Sequence, residues 1–180
     1  MSFAPRLTLV DTNPLETRFR RLFQADFRYV WASLGRLGVD EKDREDLASE
    51  VFLRVSERME DFDPTRPPRP WLFAFAVRVA SEHRRRARAC PEVLGTSVDI
   101  ESIPIAVTPS DIGDRELVQL GLNSLDMEKR AVFVMHYLDE FTAPEIARAL
   151  GIPLGTAYTR LRAARDLFTA TVRRLRRSAR

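Results

Sequence analysis

The chain has 180 residues, 44% of them hydrophobic, which is enough apolar material for one core or for two small ones. Its 29 basic and 26 acidic residues leave a formal net charge of only +3. One cysteine (Cys90) excludes an internal disulfide, His83 and His136 alone offer no zinc ligand set, and no apolar run approaches the ~20 residues that span a bilayer. The segment from Met1 to Val10 lacks the basic and apolar blocks of a signal peptide, so a cytoplasmic protein without metal or cofactor is expected.

Asn13-Pro14-Leu15-Glu16 reads as a helix start, with Asn13 as cap, Pro14 at the first helical position and Glu16 closing a capping box. Phe19, Leu22, Phe23, Phe27, Val30, Leu34 and Leu37 recur at three and four residues and give the helix one broad apolar face, and Gly35 and Gly38 end it. A second helix is expected from near Asp40 to about Met59, with acids in its first turn and Leu47, Val51, Val55 and Met59 inward. Its other face carries Asp46, Ser49, Glu50, Leu53 and Glu57, an acidic strip with one leucine. On pattern alone that strip reads first as a solvated face and second as a docking face. The stretch from Asp61 to Pro70 holds four prolines and must be a stiff exposed loop. A third helix is expected from Pro70, with Leu72, Phe75, Ala76 and Val79 inward and Trp71, Arg78, Glu82 and Arg85 along another side. It ends in Arg84-Arg85-Arg86-Ala87-Arg88, a cation cluster suited to phosphate. Trp71 reads as a packed anchor.

Between Pro91 and Glu128 the only cation is Arg115, against eight acids, and residues 91–110 combine prolines with no helical periodicity. They read as an acidic linker between a domain at 13–90 and another at 111–175. In the second domain a helix is expected from Asp111 to Leu122, and another capped by Asp126 with Met127, Ala131, Val134, Met135 and Leu138 inward. Thr142-Ala143-Pro144-Glu145 is a capping box opening a short helix through Ile146, Ala147 and Leu150, which Gly151 ends with a positive φ. Pro153 opens the next helix, with Ala157, Leu161, Ala164 and Phe168 inward and Thr156, Tyr158, Thr159, Arg160, Arg162 and Arg165 outward. Two short helices about a glycine turn, the second with polar residues at its tip and arginines behind, form a helix-turn-helix whose second helix enters the major groove. Thr142, Pro153 and Gly155 complete this candidate DNA-binding set. The fold class expected is all-α, two small helical domains joined by a linker.

With both domains laid out, the chain resembles the extracytoplasmic-function type of RNA polymerase sigma factor. The resemblance is carried by residues 46–53 (Asp46-Leu47-Ala48-Ser49-Glu50-Val51-Phe52-Leu53), Phe62-Asp63-Pro64, Trp71-Leu72, Glu145-Ile146-Ala147 and residues 155–161 (Gly155-Thr156-Ala157-Tyr158-Thr159-Arg160-Leu161). It implies that Asp46, Ser49, Glu50 and Leu53 dock on the clamp helices of the polymerase's largest subunit. It implies that Asp63, Arg66, Arg69, Trp71, Arg78, Arg84 and Arg85 melt and read the minus-ten element. The helix-turn-helix would read the minus-thirty-five element beside the flap of the second-largest subunit, and an anti-sigma factor would supply control. Many relatives carry asparagine at the place of Arg78, glutamine at that of Ser49, and Val-Lys-Ser at that of Ala157-Tyr158-Thr159. A stand-alone helix-turn-helix repressor or activator is the alternative reading. A nuclease using Asp43, Asp46 and Glu50 is disfavoured, since neither a lysine or histidine base nor a second acidic cluster accompanies them.

Overall fold

A computed structural model describes residues 14–89 and 113–178. Asn13, Cys90, Asp111 and the linker 91–110 lie outside the described residues. Within them the chain is helical, with no strand. The α-helices are α1 (Pro14–Arg36), α2 (Arg44–Ser56), α3 (Pro68–Ala89), α4 (Asp114–Asn123), α5 (Met127–Phe133), α6 (Ala143–Leu150) and α7 (Leu154–Ser178). None of the described helices is long and apolar enough to cross a membrane.

The first three helices pack on one another around Val30, Leu34, Leu37, Val51, Phe52, Val55, Leu72 and Val79, all at most 1% exposed. All but Phe52 belong to the stripes expected from the sequence; Phe19, Phe23 and Phe27 of α1 cluster around the Phe52 ring, but Phe23, expected inward, is 38% exposed at the edge of that cluster. α1 ends at Gly38, whose φ of +91° lets Gly38 N–H reach Gly35 O and Val39 N–H reach Leu34 O, the paired bonds of a Schellman turn. The second helix starts later than its acids suggest. Glu41–Asp43 forms a separate 3₁₀ turn before α2, and a further one at Met59–Asp61 follows it. The Arg44 side chain folds back to donate from Nε to Val39 O at 3.0 Å, pinning the entry to α2. α3 begins two residues earlier than expected, at Pro68. Prolines at the first and third positions of a helix forgo only N–H groups that have no intrahelical acceptor there.

In the second domain α4, α5 and α6 all pack on α7. Asp126 caps α5 by accepting from Lys129 N–H at 2.9 Å. The apolar run beyond Phe133 does not continue as α-helix: Val134–Leu138 widens into a π turn, in which Asp139 N–H reaches back five residues to Val134 O at 3.0 Å. Gly151 closes α6 at φ +66°.

The two domains touch. α3 contacts α5 and α6 as well as α1 and α2, which explains why Phe73 and Ala80, off the expected stripe, are fully buried. Tyr29 Oη donates to Asp139 Oδ2 at 2.7 Å and Arg36 Nη1 pairs with Asp139 Oδ1 at 2.5 Å. Arg130, 2% exposed, crosses from α5 and donates from Nε to Arg36 O at 2.6 Å, adding a cap to the end of α1. Its Nη2 is buried without a partner, and burial together with the nearby Arg84 charge pulls its pKa down to about 10, which leaves it charged at neutral pH.

Candidate nucleic-acid and polymerase interfaces

Three sets of side chains can be placed on this frame. The first lies on the outer face of α2. Asp46 and Ser49 are exposed, and Leu53 is 62% exposed on a helix whose other apolar residues, Leu47, Ala48, Val51, Phe52 and Val55, are buried. Ser49 Oγ donates to Glu45 O at 3.0 Å, so its hydroxyl hydrogen serves its own helix. Glu50 is less free than Asp46. Its carboxylate pairs with Arg54 at 2.5 Å and Arg86 at 3.4 Å, and Arg54 in turn grips Glu82 of α3. The Glu82 carboxyl is held below its usual range by its Arg54 hydrogen bond, so this network fastens α2 to α3.

The second set surrounds the proline loop and α3. Asp63 Oδ1 accepts from the N–H and hydroxyl of Thr65 at 3.0 and 2.6 Å, and its other oxygen pairs with Arg66 at 2.9 Å. These bonds, the Thr65 hydroxyl first, hold the carboxyl below its usual range and fix the loop. Trp71 sits between Phe62 and Phe75, at centroid distances of 5.1 and 5.0 Å, the packed anchor expected. Arg78 and Arg85 are exposed, Arg78 with its guanidinium 5.8 Å from the Phe75 ring. Two others are drawn elsewhere. Arg69 donates to the buried Asp26 at 3.1 Å and lies over the Tyr29 ring, while Arg84 is half-buried beside Arg130, its pKa lowered by desolvation first and Arg88 second. Two of the expected minus-ten arginines therefore make contacts within the chain, although Arg69 stays exposed.

The third set is the helix-turn-helix of α6 and α7. The Glu145 carboxylate accepts from the N–H and hydroxyl of Thr142 at 2.8 and 2.6 Å, which anchors the start of α6 and holds Glu145 below its usual range. Pro153 and Gly155 are exposed at the tip of α7 and Thr156 is half-buried. Tyr158 is 57% exposed, whereas Thr159 Oγ1 turns back to Gly155 O at 2.9 Å. Arg160 is tied to Glu128 at 2.5 Å. Arg162 is exposed, with no hydrogen bond or ion pair among the described residues, and Arg165 pairs only with its neighbour Asp166, at 3.2 Å in solvent. Sequence reasoning missed Leu154, 44% exposed as the first residue of α7, because an apolar residue there reads as core until the helix phase is fixed. It also missed Tyr29, Arg36, Arg130 and Asp139. The one readable signal was a lone arginine inside the apolar stripe of α5.

No group of three or more metal-ligating side chains occurs among the described residues. What the geometry offers is three sets of polar and charged side chains, two on the first domain and one on the second.

Comparison with known proteins gives this architecture its class. Residues 22–90 match the family model of Sigma-70 region 2, and residues 115–167 match Sigma-70, region 4. The chain is 34% identical over 146 residues to the ECF RNA polymerase sigma factor SigL of Mycobacterium tuberculosis, covering 79% of this chain and 81% of that one. To the ECF RNA polymerase sigma factor SigW of Bacillus subtilis it is 30% identical over 142 residues, covering 73% and 76%. Among solved structures, the sigma factor RpoE in complex with the anti-sigma factor NepR from Bartonella quintana shares the fold, with a TM-score of 0.67 at 19% identity, covering 87% of this chain and 98% of that one. The chain belongs to the extracytoplasmic-function RNA polymerase sigma factors. It is an initiation factor that binds polymerase core and directs promoter recognition, and the stand-alone repressor reading gives way to this one.

Proposed function

We propose that residues 13–90 form the unit that docks on polymerase and opens the minus-ten element, that 91–110 connect, and that 111–175 read the minus-thirty-five element. The protein works in the cytoplasm, catalyses no reaction of its own, and is held in check by an anti-sigma factor. One observation carries the docking assignment: Leu53 stands exposed two turns along the same face from Asp46, which has no ion pair among the described residues, on a helix that otherwise buries its apolar side chains. An apolar anchor rimmed by charge is the composition of a protein contact, with the clamp helices of the largest subunit as its target. On the minus-ten side, Arg78 and Arg85 are the cations open to phosphate, and Arg66 is exposed but paired with Asp63, which together with Trp71 shapes the loop. Arg69 and Arg84 join them only if the contacts they now make are exchanged. On the minus-thirty-five side, Thr142, Pro153, Gly155, Thr156, Tyr158, Thr159, Arg162 and Arg165 line the approach to DNA, and Arg160 stiffens α7 through Glu128.

The test is a pull-down of core polymerase with Leu53→Asp and with Asp46→Arg. Each should weaken capture at least tenfold while leaving the affinity of the chain for duplex DNA unchanged. Undiminished capture by both variants would remove the docking assignment. Glu50 is the poorer probe, because reversing its charge also breaks the bridge to Arg54 and α3.

A further inference from the structure

The tip of α7 is unlike a polar reader of base edges. Leu154, Tyr158, Arg162 and Arg165 lie at steps of four, four and three, on one side of the helix. The first two are large, apolar or aromatic, and exposed, at 44% and 57%. Two of the polar groups near them are committed, Thr159 donating to Gly155 O and Arg160 pairing with Glu128, and a third, Thr156, is half-buried. Behind the tip, Tyr158, Arg162 and Arg165 line a groove of about 360 Å³ together with Tyr137 of the π turn, so cations come into play only a turn or more from the tip. A recognition helix brings its N-terminal residues to the base edges and leaves later positions over the sugar-phosphate backbone. In the major groove, thymine alone among the four bases offers a methyl group, and an apolar side chain is its natural partner.

We propose that Leu154 and Tyr158 read thymine methyl groups in the upstream promoter element, while Arg162 and Arg165 hold the adjoining phosphates. Tyr158 presents an exposed ring that ends in a hydroxyl, and the ring is the part of it that can meet a methyl group. The inference rests on the assignment of α7 to the upstream element. It has two consequences: affinity depends on the methyl groups themselves, and it falls less steeply with salt than if a cation stood at 158. Removing one methyl from such a contact returns about 0.8 kcal/mol, or roughly fourfold in affinity. Each phosphate contact contributes about 0.9 to the salt slope.

The experiment uses the full chain with core polymerase. Duplexes randomised over the upstream element are selected, and the selected sites are then remade with uracil in place of each thymine in turn. Uracil keeps the pairing and loses only the methyl. One or two thymines should be found at which uracil weakens binding roughly fourfold. Leu154→Ala should abolish the sensitivity at one of them and Tyr158→Ala at the other. Tyr158→Lys should lose its methyl sensitivity and steepen the salt slope by about 1. Both positions are on the surface, and circular dichroism checks that the helices remain. Selected sites that bind equally well with uracil throughout would overturn the inference and leave the upstream assignment standing. Failure of any duplex to be selected through the upstream element would overturn both.

Discussion

The outer face of α2 and the seam between the two domains are both lined with charged side chains, and they differ in what surrounds the charge. Asp46 lies in water with no ion-pair partner among the described residues, and Glu50 shares Arg54 and Arg86 at the surface. In the seam the Asp139 side chain is 6% exposed and holds both Tyr29 and Arg36, while Arg130 is enclosed with one nitrogen unmet. Charges in water add little to stability, about 0–1 kcal/mol a pair, and remain available to a partner. Enclosed charges matter through one another, because removing one strands the next. The same residue types therefore stay available for the proposed polymerase contact in one region and set the registry of two domains in the other.

The strongest way to break the contrast is Asp139→Ala, which leaves Tyr29 Oη and Arg36 without their acceptor. With Arg36 partly solvated, we expect a loss of about 2–3 kcal/mol in urea unfolding of the full chain. Gly38→Ala comes next. A β-carbon there would lie 2.8 Å from Arg130 Nη1 on a backbone at φ +91°, and a cost of about 2 kcal/mol is expected. Adding Arg130→Ala should relieve the collision and leave only the backbone strain, so the double-mutant cycle should show coupling of about 1 kcal/mol. A smaller effect concerns Tyr29. Its phenol is held well above its usual range, by burial first and by Asp139 next, so the folded protein retains a proton that the unfolded chain loses near pH 10. Stability from this bond is complete below that pH and declines above it. Tyr29→Phe should flatten that decline relative to the parent protein, by about 1 kcal/mol in titrated unfolding. Least of all should be the effect on folding of Asp46→Arg, within about 0.5 kcal/mol in the same unfolding assay, although polymerase capture falls.

What could be read from the sequence was local. The Thr142-to-Glu145 box, the turn at Gly151 and the stripes of α1 and α6 depend on neighbours within a turn or two, and the structure has them where they were expected. The acidic strip on α2 was legible for the same reason. Element boundaries slipped wherever a distant or non-helical partner intervened: the 3₁₀ turn at Glu41–Asp43 with Arg44 on Val39 O, and the π turn that replaces continued helix after Phe133. The burial of Phe73 and Ala80 escaped a single-stripe reading because α3 is packed by both domains. Arg69 was assigned to DNA by the family resemblance and Arg84 by that and the cation cluster, yet Asp26, Tyr29 and Arg130, each forty or more residues away along the chain, decide where their guanidinium groups lie.

The Schellman turn at Gly38 leaves the Arg36 carbonyl to be capped from the other domain, by Arg130. A chimera that married this N-terminal unit to a C-terminal unit lacking an arginine at that place would inherit a helix end with one lock missing and, with any bulkier residue at 38, no keyhole. The two units are therefore matched parts, and exchange between members of the family should succeed most readily when residues 38 and 130 travel together.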